Sequence, residues 1–245
     1  MDRGNGARPP RIAIIPAYNE EPVIGRMLDS IPPGLFDEVI VAVNGATDGT
    51  AQAARRHGAT VVEIPERGYG AACLAALSFL AGRDGTVMFL QADASEPLDE
   101  ADGLLRIVET GQADLALGSR ALGRAAEGAL LPHQRFGNWL AVTLIRWRYG
   151  HRYTDLGPMR ALSLATWRKL GMRERTYGWT VEMQVRALQC GLRVVELPVR
   201  SGLRLAGENK VSGNLRASVL AGWRILATIA RLSGPRRPRA AEHEA

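Results

Sequence analysis

Five short apolar runs constrain this chain more than any other feature. Each stops at a polar or glycine-bearing loop, and each of the first four leads into a stretch with helical spacing. The runs are 11–16, 38–43, 60–64, 86–91 and 114–117. After the first, Pro22 suits an opening helical turn, and Val23, Ile24, Met27, Leu28 and Ile31 recur at helical spacing. Residues 50–57 form a second helix with Gly58 as its stop, small residues fill a third over 71–81, and a fourth covers roughly 98–109. Strands alternating with helices at such short intervals predict an α/β fold: a parallel sheet, helices on both faces, right-handed crossovers. A chain of 245 residues, 46% hydrophobic, has room for one large domain of this kind, with or without an appendage.

Beyond about residue 120 the pattern changes. A mobile loop is expected over 123–131, then a helix over 135–149 carrying Trp139, Arg146, Trp147 and Arg148. Residues 154–160 lead into a short strand, 176–180 precede a helix over 181–189, a strand spans 192–199 and a loop spans 200–213. A last helix runs over 214–232. In it Leu215, Val219, Trp223, Leu226 and Ile229 are read as one side and Arg216, Arg224 and Arg231 as another. This helix either packs its apolar side on the domain or lies on an anionic bilayer surface. The ends, 1–10 and 233–245, are polar and rich in Gly, Pro or Arg, and are expected to be flexible.

The net charge of +6 favours anionic partners: nucleotide phosphates, nucleic acid or an acidic membrane face. None of the recognised aromatic-basic motifs of nucleic-acid binding occurs. No stretch approaches the roughly 18 apolar residues of a membrane span, and the N-terminus lacks the apolar segment of a secretory signal. The expected location is cytoplasmic, with peripheral attachment to the inner membrane face as an option. Cys73 and Cys190 are read as reduced core residues, and His57, His133, His151 and His243 form no zinc spacing.

The fourth run ends in Gln91-Ala92-Asp93-Ala94-Ser95-Glu96-Pro97. Ligands of open α/β sheets bind at the carboxyl ends of strands, where an acidic group can hold a divalent cation against a phosphate. Asp93 or Ser95 as a helix cap is the competing reading. The first loop, Pro16-Ala17-Tyr18-Asn19-Glu20-Glu21, is polar enough to hold a nucleotide base, although Glu20 and Glu21 also suit a helix N-terminus. Gly68-Tyr69-Gly70 is not a dinucleotide fingerprint: it follows the third strand, and Cys73 stands where a third glycine belongs. It admits a ligand to the backbone or is a tight turn. In 204–210, Arg204 and Lys210 either clamp a phosphate or are simply solvated.

Taken in order, these stretches resemble the inverting family-two nucleotide-sugar glycosyltransferases, and among them the dolichyl- and polyprenyl-phosphate mannose or glucose synthases. The resemblance covers about residues 11–229. It is carried by 16–21, Asn44-Gly45-Ala46-Thr47-Asp48-Gly49-Thr50, Arg67-Gly68-Tyr69-Gly70, Gln91-Ala92-Asp93, Gly118-Ser119-Arg120, Asp155-Leu156-Gly157-Pro158-Met159-Arg160, Gly178-Trp179-Thr180-Val181-Glu182-Met183 and 204–210. It implies a GT-A-type α/β fold with a mostly parallel central sheet. Residues 11–120 would be a nucleotide-sugar half, 121–213 an acceptor half, and 214–232 an amphipathic helix.

The donor implied is a UDP- or GDP-linked sugar, the acceptor a polyprenyl phosphate. Pro16, Tyr18 and Glu20 would line the nucleoside pocket, and Asp93 would hold Mg²⁺ or Mn²⁺ on the diphosphate. Arg120, Arg135, Arg204 and Lys210 would face phosphates. Asn44, Asp48, Gly68, Gly70 and Gln91 complete the substrate-binding set. A hydroxyl acceptor would need a base, for which Asp155 and Glu182 are the candidates, either of them equally a structural carboxylate.

Three positions depart from the family pattern. Gln91 replaces the first Asp of Asp-x-Asp, Ser95 replaces a metal-assisting Gln, and Val43-Asn44 replaces an acidic pair. Each loss of charge or ligand weakens the hold on a hard cation. Asp93 and the diphosphate hold the metal alone, the basic loop partly replaces it, or the protein binds sugar nucleotides with little catalysis.

Overall fold

The computed structural model describes residues 8–123, 132–202 and 215–232. Its seven-stranded sheet is formed by β1 (Arg11–Ala17), β2 (Glu38–Asn44), β3 (Thr60–Ile64), β4 (Thr86–Phe89), β5 (Leu115–Ser119), β6 (Arg160–Ser163) and β7 (Val194–Pro198), in the order β3-β2-β1-β4-β6-β5-β7. The helices are α1 (Glu21–Asp29), α2 (Thr50–Arg56), α3 (Tyr69–Phe79), α4 (Ala101–Glu109), α5 (Pro132–Tyr149), α6 (Leu164–Leu170), α7 (Trp179–Gln189) and α8 (Leu215–Leu232); a 3₁₀ turn, Leu98–Glu100, leads into α4.

The strands are apolar on both faces because both faces are covered. Ile12, Ile14, Ile40, Val87 and Phe89 enter one core, which includes Cys73, Leu77, Ile145, Trp179 and Ile229. Their neighbours Ala13, Ile15, Val41, Met88 and Leu90 enter the other, with Ile24, Met27, Ala54 and Leu104. The period-two alternation thus sorts each strand between two helical layers.

One strand departs from the parallel expectation. β6 lies between β4 and β5 and runs antiparallel to both, whereas the other pairs are parallel. Arg160, its first residue, sits opposite Phe89 and Leu117, near the carboxyl ends of β4 and β5. The segment leading into β6 therefore emerges at the edge where the parallel strands end, and residues 154–159 join the ligand-side loops.

Three details differ from the sequence reading. α6 is an additional helix: the Ser163 hydroxyl accepts the Thr166 N–H as its cap, and Gly171 ends it in the left-handed conformation. Cys73 is buried, but Cys190, just past α7, is exposed. In α8, Trp223 is 62% exposed while Thr228 and Ile229 are buried, so Trp223 does not share the packed side. Two successive steps of three residues drift by about 120° round a 3.6-residue helix, which carries Trp223 away from Ile229.

Candidate active site

The first two loops are tied to each other. The Thr47 N–H donates to Asn19 Oδ1 (2.8 Å), the Gly49 N–H to Glu21 Oε2 (2.8 Å) and the Glu20 N–H to Thr50 Oγ1 (2.8 Å). Asp48 accepts from the Thr50 hydroxyl (2.5 Å), the Thr50 N–H (3.1 Å) and the Glu21 N–H (3.2 Å). Burial alone would raise the Asp48 carboxyl, but these bonds hold it below the usual carboxylate value. Pro16 lies opposite Ala42, one residue before the β1 ladder ends at Ala17; Asn44, at the end of β2, and Glu20 are both buried. The Arg67 guanidinium lies 4.6 Å from the centre of the Tyr18 ring, a stacked pair that brings the third loop to the first.

Gly68 and Gly70 serve a close approach by the protein's own backbone. A Cβ at either would come within 2.2 Å of a carbonyl oxygen, that of Arg175 or Glu174 respectively, and Gly68 has φ of +150°. The Ala71 N–H donates to the Arg175 carbonyl at 2.8 Å. Segment 174–175 thus packs closely against both glycines.

The loop after β4 turns sharply at Ala94, whose φ is +55°. Asp93 is 3% exposed, and its Oδ1 accepts the Ser95 N–H at 3.0 Å. Neither Asp93 nor Ser95 caps a helix: Pro97 and Glu100 hold the cap positions that follow, without side-chain bonds. Glu96 turns back over the loop, and its Oε2 accepts the Gln91 N–H at 2.8 Å. Its Oε1 is enclosed and accepts no hydrogen bond from any described residue. Glu96, Gln91, Ser95, Gly118, Arg120 and Met159 line a cleft at this edge of the sheet.

Burial pushes the Glu96 carboxyl up to about 8; the charge of Asp93 adds to this, and the Gln91 N–H, Arg120 and Arg160 oppose it. The Glu96 proton has a stability consequence. From about 4.5 to about 8 the folded, metal-free protein keeps a proton that the unfolded chain releases. Stability therefore falls as pH rises through that window, by at most about 1.4 kcal/mol per pH unit from this group. In chelator, the urea midpoint of Glu96→Gln is expected to fall less between pH 5 and pH 8 than that of wild type. Equal declines would contradict Glu96 as an acid that keeps its proton in the folded protein.

Arg120 and Asp155 form a bidentate pair: Arg120 Nε to Asp155 Oδ2 at 2.8 Å and an Arg120 terminal nitrogen to Oδ1 at 2.9 Å, with the Arg120 backbone N–H also on Oδ2 at 2.9 Å. Burial opposes the Arg120 charge, but Asp155 more than compensates and raises its pKa. Beneath them Glu196 accepts the Thr154 N–H (2.9 Å), the Thr154 hydroxyl (3.0 Å) and the Asp155 N–H (3.3 Å). Glu182 is 1% exposed and holds the backbone N–H groups of Arg173 (2.9 Å) and Glu174 (2.5 Å). Both candidate bases thus spend their carboxylates on the protein. Arg160 is fully buried, donating to the carbonyls of Thr180 and Gly157; burial pulls its pKa down.

The fold thus brings Pro16, Tyr18, Glu20, Asn44, Asp48, Gln91, Asp93, Arg120 and Asp155 to one sheet edge. Glu182 lies behind it on α7, and Arg135 is exposed on α5. Arg204 and Lys210 lie outside the described residues. The sequence reading missed Glu96, Arg67 and Glu196. For Glu96 a signal existed, a carboxylate in the Asp93 loop immediately before Pro97; the partners of Arg67 and Glu196 are set only in three dimensions.

An open, mostly parallel sheet with helices on both faces and acidic and basic side chains gathered at its carboxyl edge defines a GT-A-like α/β fold. Glucosyl-3-phosphoglycerate synthase from Mycobacterium tuberculosis, solved with Mn²⁺ and UDP-glucose, shares it with a TM-score of 0.73 at 21% identity, over 94% of this chain and 81% of that one. The family model Glycosyl transferase family 2 matches residues 12–187. An uncharacterized glycosyltransferase of Mycobacterium tuberculosis is 35% identical over 223 residues, 87% of this chain and 96% of the relative. The undecaprenyl-phosphate mannosyltransferase of Micrococcus luteus is 29% identical over 219 residues, 83% and 88% of the two chains. The chain belongs to glycosyl transferase family 2 and is a glycosyltransferase.

Proposed function

We propose that this glycosyltransferase moves a hexose from a UDP- or GDP-linked donor to a polyprenyl phosphate, with inversion at the anomeric carbon. The observation that carries the acceptor assignment is the commitment of both candidate bases, Asp155 to Arg120 and Glu182 to the backbone of 173–174. A hydroxyl acceptor needs a base; a phosphate oxygen is already ionised near neutral pH and does not. The names of the relatives support this choice: besides the undecaprenyl-phosphate mannosyltransferase, a polyprenol monophosphomannose synthase of Mycolicibacterium smegmatis is 28% identical over 254 aligned positions. Transfer to a hydroxyl is the second reading. It is favoured by Glu96, a cleft carboxyl held near neutrality, and by the phosphoglyceric acid bound in solved relatives of the fold.

In this reading residues 11–120 bind the donor and 121–213 the acceptor. Tyr18, backed by Arg67, stacks on the base, and Pro16, Glu20 and Asn44 shape its pocket. Asp48 holds the first two loops in register. Arg120, oriented by Asp155, neutralises charge growing on the leaving diphosphate, and Arg135, Arg204 and Lys210 serve the phosphates. The acceptor oxygen is held in line with the anomeric carbon, opposite the leaving group.

The donor set suits a divalent cation. The enclosed Glu96 Oε1 is orphaned among the described residues, and Asp93 and Ser95 add hard oxygen atoms. No group of three or more His, Cys, Asp or Glu side chains converges among the described residues, so diphosphate oxygens or water would complete the shell. Bound there, Mg²⁺ or Mn²⁺ would offset the charge of the departing diphosphate.

A thermal-shift panel of UDP- and GDP-hexoses, with and without Mn²⁺, tests the donor assignment. One donor is expected to stabilise the protein by about 2.7 kcal/mol at a hundredfold excess over its Kd. No shift with any member would contradict it.

A membrane-borne acceptor fits an exposed aromatic strip on α5. Phe136 (61% exposed), Trp139 (57%) and Trp147 (84%) recur at spacings that place them on one side, next to Arg146, and Trp223 of α8 is also exposed. Among the described residues no helix is long and apolar enough to cross a membrane. Replacing Trp139 and Trp147 together by alanine is expected to lower binding to anionic liposomes several-fold in a sedimentation assay. Unchanged binding would remove the strip from this role.

A further inference from the structure

We propose that Glu96 is the second carboxylate of the cation site and takes over the charge that position 91 lacks. This inference rests on the transferase reading above and concerns which residues of this chain serve the metal.

Three observations converge on it. Glu96 is three residues beyond Asp93, and its Oε2 is fastened to the Gln91 N–H at 2.8 Å, so its carboxylate is carried back to the point where the strand's carboxyl end leaves off. Its other oxygen, Oε1, is enclosed and receives no hydrogen bond from any described residue. A carboxylate oxygen shut away without a donor is costly unless it is protonated or meets a cation. Finally, Glu96 lines the same cleft as Gln91, Ser95 and Arg120.

Two carboxylates that repel each other when alone are stabilised together by a divalent ion between or beside them. The Gln91 side chain offers a neutral amide at best, a weaker ligand for a hard cation than either carboxylate. Glu96 thus restores the lost negative charge from the far side of the same loop, with its backbone hydrogen bond fixing the approach.

The test uses the full chain and the electron paramagnetic resonance signal of free Mn²⁺, titrated in the presence of UDP and, separately, GDP. Wild type is expected to bind Mn²⁺ with one of the two. Glu96→Gln should weaken that binding by about a hundredfold or more, beyond the roughly 10–100-fold that outer-shell changes commonly cost. Adding Gln91→Asp to Glu96→Gln should recover most of it. Glu96→Asp keeps the charge but withdraws it by one methylene; it should also bind Mn²⁺ more weakly, and it serves if Glu96→Gln does not fold.

Wild-type Mn²⁺ affinity in both Glu96 variants, or no recovery with Gln91→Asp, overturns the proposal. So does a Glu96→Gln protein that binds Mn²⁺ normally and loses only turnover, which would make Glu96 a general base. If wild type binds a sugar nucleotide but no Mn²⁺ with either diphosphate, the cation proposal fails and the donor reading stands. If it binds neither, both fail.

Discussion

Replacing Asp93 by asparagine is expected to lower kcat/KM for glycosyl transfer by on the order of 10³-fold, the several kcal/mol that a metal-stabilised leaving group contributes. The substitution is chosen for what it preserves. Asp93 Oδ1 accepts the Ser95 N–H at 3.0 Å, and an asparagine carbonyl can accept the same bond, so the turn at Ala94 should survive. What is lost is a buried negative charge in the loop that ends β4. Nucleoside diphosphate release measured beside a thermal melt separates the two effects. Wild-type turnover by a folded Asp93→Asn protein would remove Asp93 from the site.

The second large effect concerns stability. Asp155 is 2% exposed, and three Arg120 donors end on its two oxygens. Removing one partner of a buried pair leaves the other charge uncompensated, at a cost of about 3–5 kcal/mol. For a chain of this size, Asp155→Ala should lower Tm by on the order of 10 °C. The double variant Arg120→Met, Asp155→Ala should lose less than the sum of the two single changes, because the stranded charge is gone. A Tm within a degree of wild type for Asp155→Ala, with turnover abolished, would instead make Asp155 a base and revive the hydroxyl-acceptor reading.

The contrast between these two carboxylates shows how far the sequence reaches. Asp93 stands out because an apolar run stops there and polar residues take over, a local pattern. The same logic located β1 to β4 and the loops after them within a few residues. Asp155 and Glu182 are equally visible as carboxylates near glycine turns, yet their work is decided by Arg120 and by the backbone of 173–174, which arrive from distant segments. The direction of β6 was illegible for a similar reason: Arg160–Ser163 is too short to carry orientation, which comes from its pairing with β4 and β5. α6 spans only seven residues, under two full turns, so its periodicity was weak, although Ser163 and Gly171 marked its ends. Glu96 carries a partial signal, a carboxylate immediately before Pro97, but its turn back onto Gln91 is set only in three dimensions.

Incubating the full chain with the stabilising sugar nucleotide, Mn²⁺ and a short-chain polyprenyl phosphate tests the central claim most directly, with the lipid product followed by mass spectrometry and its anomeric configuration by NMR. The expected result is one glycosyl phosphodiester formed per nucleoside diphosphate released, with the anomeric configuration inverted. Diphosphate release that ignores polyprenyl phosphate and requires a hydroxyl acceptor would contradict it.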